Sequence, residues 1–91
     1  MHYIAMIHKD PDSSYGVSFP DVPGVITAGD TMEEALSEAS QVLAFAFEDW
    51  PGGPPVPRSI DELRADPDFL ERSADAVLVA VEPAHAHEAA E

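Results

Sequence analysis

The 91-residue sequence has no cysteine, and its four basic residues face eighteen Asp and Glu, for a formal charge of −14. The missing thiols exclude a disulfide framework, a cysteine-ligated zinc site and a cysteine nucleophile. The scarcity of Lys and Arg argues against a surface that grips phosphate backbones or anionic lipid, and favours encounter with basic proteins. The excess acid is not confined to a tail, because residues 1–50 carry nine acids and one Lys, and residues 51–91 nine acids and three Arg. Long apolar runs are absent too: Tyr3–Ile7 is far shorter than a signal-peptide core or a membrane span, so a soluble cytoplasmic protein without a membrane partner is expected. No G-x-S-x-G, phosphate-binding glycine loop or H-E-x-x-H spacing occurs. At this length one domain is expected, with a core that is compact or completed by a partner.

What is present reads as alternating order. Residues 3–7 form a short apolar strand, followed by the dense turn chemistry of Asp10-Pro11-Asp12-Ser13-Ser14. Tyr15, Val17 and Phe19 fall on alternate positions, one face of a second strand, with Gly16 and Ser18 on the other. Pro23-Gly24 suits a type II turn, and Val25–Ala28 a third strand. Thr31-Met32-Glu33-Glu34 has capping-box spacing. The apolar positions Met32, Ala35, Leu36, Ala39, Val42, Leu43, Ala46, Phe47 and Trp50 that follow make one wide helical stripe. Four prolines and two glycines in residues 51–57 form a stiff connector. Ser59-Ile60-Asp61-Glu62 and Asp66-Pro67 then signal one or two short helices within 60–72. Residues 76–81 are apolar at every position, which suits an interior strand covered on both faces and lying beside the first.

The resulting expectation is an α+β fold: a three-stranded antiparallel meander, a long helix, a short helix, and a further strand beside the first. Residues 1–83 make the domain and 84–91 a disordered tail. One long helix covers one face of such a sheet, so a second subunit is expected on the other, as a dimer or tetramer.

The segments Tyr15-Gly16-Val17-Ser18-Phe19-Pro20-Asp21-Val22-Pro23-Gly24, Gly29-Asp30-Thr31 and Glu33-Glu34-Ala35 carry a resemblance. Together they resemble the HicB family of bacterial antitoxins, with its pattern G-Y-x-V-x-F-P-D-x-P-G followed by G-D-T-x-x-E-A. Ser14 and Val25 depart from it, standing where members usually have Gly and often Cys. The resemblance implies a partial ribonuclease-H-like fold, oligomerisation, and a type II antitoxin that binds and silences a HicA-like toxin, a small basic ribonuclease that degrades mRNA. Many members continue into a DNA-binding domain, and nothing after Val81 suits one, so no DNA binding is expected from this chain.

Four residues are candidates for partner contact: Tyr15, Phe19 and Asp21 on the meander, and Trp50 at the helix end beside the connector, where an indole suits an interface. Each also has a structural reading. Phe19-Pro20-Asp21 and Pro23-Gly24 suit a tight strand connection, Asp30 and Thr31 a helix cap, and Phe45, Phe47 and Trp50 a core. His85 and His87 alone are too few for a metal site. The rival enzyme reading, a metal-dependent nuclease on the same fold, needs a carboxylate inside the first strand, and Tyr3–Ile7 contains none. No catalytic, cofactor-binding or metal-binding residue is therefore expected, and the chain is read as a non-enzymatic binding protein. The remaining alternative is an oligomeric domain for an unrelated protein partner.

Overall fold

A computed structural model of the chain describes residues 1–84. Three strands come first: β1 (Tyr3–Lys9), β2 (Tyr15–Ser18) and β3 (Ile26–Gly29). The long helix α1 (Met32–Glu48) follows, then α2 (Ile60–Arg64), α3 (Pro67–Arg72) and β4 (Val77–Val81). The sheet is antiparallel throughout, in the order β3-β2-β1-β4. The expected fold class is the observed one, with two short helices after the connector.

Local chemistry accounts for the boundaries. The Val25 N–H donates to the Val22 carbonyl at 3.3 Å, and Gly24 has φ +88°, the conformation a type II turn demands at that position. Thr31 Oγ1 caps α1 by accepting from the Glu34 N–H at 3.0 Å, while Glu34 Oε1 reaches back to the Asp30 N–H at 2.9 Å, one residue earlier than a standard capping box. Ser59 and Glu62 form the complete reciprocal box on α2, and Asp66 caps α3 with Pro67 in its first turn. The helix α1 stops at Glu48, so Trp50 lies outside it.

The main core lies between α1 and one sheet face. Tyr3, Ala5, Ile7, Val17, Phe19, Val22 and Val81 meet Ala35, Ala39 and Leu43. Gly29 brings strand and helix together: a Cβ there would lie 2.5 Å from the Ala35 nitrogen, a backbone atom with no room to yield.

Two expectations are corrected. The segment 76–81 does pair with β1, Tyr3 opposite Val81 and Ile7 opposite Val77, but it is an edge strand, with Val77 53% exposed. Its uniform apolarity has another cause: Val79 and Val81 pack into the α1 core, whereas Leu78 packs with Met6, Leu63 and Phe69 on the opposite face. Half of that second face is covered from within the chain. Leu63 of α2 and Phe69 of α3 are buried against Met6, with Ile4 and Leu78 beside them, so the half under β1 and β4 needs no second subunit. Among the described residues nothing covers the β2–β3 half, and Ile26 there is 72% exposed. The tail expected over 84–91 falls from residue 85 onward outside the described residues, as do His85 and His87. Ala84 is anchored, its N–H donating to the Ser40 carbonyl at 3.0 Å.

Candidate functional site

The four candidate contact residues do not form one patch. Phe19 is 2% exposed and belongs to the α1 core, so a side chain proposed for a partner is spent on the fold. Asp21 is likewise engaged, its side chain 7% exposed. Its Oδ1 accepts from Arg58 Nε at 2.6 Å and its Oδ2 from the Arg58 backbone N–H at 2.7 Å. Arg58 Nη1 donates in turn to Asp66 Oδ2 at 3.1 Å, while Asp66 Oδ1 caps α3 through the Asp68 N–H at 2.9 Å.

The guanidinium thus holds two carboxylates, and its hydrogen bond keeps the Asp66 carboxyl below its ordinary range. This chain of contacts ties the β2–β3 connection to the start of α3 and so fixes the cover of the second face. Arg58 is one of only four basic residues, yet nothing in sequence pairs it with an acid 37 positions away.

Tyr15 and Trp50 keep part of their surface in solvent. Lys9 Nζ lies 5.6 Å from the centroid of the Tyr15 ring, within cation–π range. Trp50 packs edge-on against Phe47 at 5.9 Å between centroids, and Phe47 lies 5.2 Å from Tyr3. The stacked series leaves out Phe45, which is 74% exposed. Phe45 thus does not share the core stripe expected of it with Phe47 and Trp50, because helix positions two apart point to nearly opposite sides. The 3.6-residue period was the available signal.

The buried Tyr3 hydroxyl donates to the Pro55 carbonyl at 2.5 Å and pins the connector to β1. Burial, and secondarily the charge of Asp21, raise its pKa above the ordinary tyrosine value. A raised folded-state value means that this contribution to stability is present below pH about 10, the unfolded value, and is lost as pH rises through the folded one. Tyr3→Phe should therefore cost about 1 kcal/mol at neutral pH through the lost hydrogen bond, and should flatten the alkaline decline. Urea titrations at pH 7 and above pH 10 check this, and equal alkaline declines for the two proteins would refute it.

Among the described residues, no three His, Asp or Glu side chains are grouped to hold a metal ion, and no helix is long and apolar enough to cross a membrane. What the geometry offers is surface: an open sheet half, two sheet edges, and the outer side of α1.

The family model described as the HicB-like antitoxin of bacterial toxin-antitoxin systems matches residues 3–91. The chain belongs to this family. Antitoxin HicB 1 of Photorhabdus laumondii is 46% identical to it over 48 residues, 53% of this HicB-like chain and 31% of that protein. Antitoxin HicB of Escherichia coli K12 is 38% identical over 48 residues, 35% of its own length. The matched segment thus spans about a third of these curated relatives.

Among solved structures, the Burkholderia pseudomallei antitoxin HicB superposes with a TM-score of 0.68 at 27% identity, covering 97% of this chain and 66% of that one. A chain of the HicA3 and HicB3 toxin-antitoxin complex superposes with a TM-score of 0.70 at 26% identity, covering 93% of this chain and all of that one. The HicB-like fold expected from the Tyr15–Gly24, Gly29–Thr31 and Glu33–Ala35 segments is therefore the fold found.

Proposed function

We propose that this chain is the toxin-neutralising module of a type II toxin–antitoxin pair, a non-enzymatic protein that binds a small basic mRNA-cleaving toxin and occludes its active surface. The observation that carries this is the family match across residues 3–91, supported by the mutual coverage with a chain of a toxin–antitoxin complex. The charge of −14 supplies long-range attraction to a basic partner and opposes nucleic acid as substrate or ligand, consistent with a cytoplasmic protein that neither cleaves RNA nor binds DNA. Tyr15 and Trp50 remain the two sequence-derived candidates with surface to offer. Self-association is part of the same proposal, now through the uncharged open half of the sheet rather than a whole bare face.

Co-expression with the basic protein encoded by the adjacent reading frame tests the reading. Growth should be rescued and the two proteins should co-purify. Association should slow as salt shortens the Debye length from about 10 to 3 Å. A neighbour that is harmless alone, or that stays toxic beside abundant folded copies of this chain, would defeat the proposal.

A further inference from the structure

We infer that the outer side of helix α1, centred on Phe45, is the docking surface for the basic partner; this rests on the function proposed above and assigns it a place on the molecule. Phe45 is 74% exposed on a helix whose other large apolar side chains, Met32, Leu36, Val42, Leu43 and Phe47, are all buried or half-buried. At 100° per residue it points nearly opposite Leu36, Leu43 and Phe47 and about 120° from the centre of the buried stripe of Ala35, Ala39 and Leu43, out into solvent. Its neighbours on that arc are Glu34, Glu38, Gln41, Glu48 and Asp49, all exposed. The helix carries no Lys or Arg, nor does any position between Lys9 and Arg58.

The fold gains nothing from a solvated phenyl ring there, since Phe is a weaker helix former than the Leu or Glu the site would accept. The arrangement has the layout of an interface: one aromatic anchor within a polar rim. Its charge selects the occupant. Two copies of this chain meeting through α1 would place like-charged carboxylates together, and a nucleic acid would be repelled. A cationic protein surface satisfies both parts, with Lys or Arg side chains pairing with Glu38, Glu48 and Asp49 or covering the ring face. The open sheet half around Ile26 has no such charge to attract that partner, because its lining is His8, Gly16, Val17, Ser18 and Thr27.

The test measures binding of the adjacent-frame basic protein, catalytically inactivated, to the full chain and its variants by biolayer interferometry. Phe45→Ala should keep the wild-type circular dichroism and Tm and weaken binding about tenfold or more, mainly through faster dissociation. The double variant Glu38→Lys, Glu48→Lys should slow association and reduce its salt dependence. Ile26→Ser, at the strongly exposed apolar side chain of the open sheet half, should change affinity less than about twofold, well inside the tenfold that marks an anchor residue. Wild-type affinity retained by Phe45→Ala overturns the assignment while leaving the antitoxin reading intact, and a loss confined to Ile26→Ser moves the surface to the sheet. No binding by the wild-type chain overturns the function itself, and the occupant of α1 with it.

Discussion

Phe19→Ala should lower the unfolding free energy by about 3–5 kcal/mol, the usual cost of removing a buried phenyl ring. Phe19 is 2% exposed and fills the space between the sheet and Ala35, Ala39 and Leu43 of α1, where only small or already packed side chains stand ready to close a cavity. A domain of this size has a total stability of about 5–14 kcal/mol, so the loss is a large fraction of it. Urea unfolding followed by circular dichroism reads the effect directly, and a loss under about 1 kcal/mol would mean that the ring is not part of the core. The consequence for function is specific. A failure of Phe19→Ala to neutralise a toxin would report missing folded protein, not a missing contact, so Phe19 cannot serve as a binding probe.

Phe69→Ala should have an effect of similar size by a different route. Phe69 and Leu63 are the buried side chains that seat α2 and α3 on Met6, and helices of five and six residues have too few internal hydrogen bonds to persist without that contact. A loss of about 3–5 kcal/mol is expected, together with release of the α2–α3 segment. The Asp21–Arg58–Asp66 contacts hold the start of that segment, but they reach only the connector and the α3 cap, and Arg58 is more than a third exposed, so they do not replace the lost apolar anchor. Uncovering Met6, Ile4 and Leu78 should also promote concentration-dependent association beyond that of the wild type, visible by light scattering. An unchanged urea midpoint with unchanged scattering would show that the two short helices do not protect the sheet.

Much of the fold was legible in one dimension because its signals are local. A strand's alternation, a Pro-Gly turn and a Thr–Glu cap each depend on residues within four positions of one another, and β2, the turn at Val22–Val25 and the start of α1 stand where those patterns put them. The family resemblance drew on the same stretch and reached the right fold. The candidate site was less legible. Burial depends on what packs against a side chain, and the pattern that places Phe19 on the Val17 face does not say whether α1 or a partner meets that face. Asp21 read as a turn residue or a contact, and became an ion-pair residue only once a connector 37 positions away returned to it.

By itself, then, the sequence determined the antiparallel meander, the capped long helix, the break at residues 51–57, the acidic surface and the family, because each rests on short-range periodicity, backbone chemistry or composition. Only the tertiary structure decided the rest. It put β4 at an edge instead of the interior, since β1 has a neighbour on each side and β4 does not. It covered half of the second face with Leu63 and Phe69 of the same chain, and it turned Phe45 outward while Phe47 went in. Apolar residues record only that water is to be excluded from them. Which surface excludes it is settled by the three-dimensional path of the connector and the rotation of the helix on the sheet.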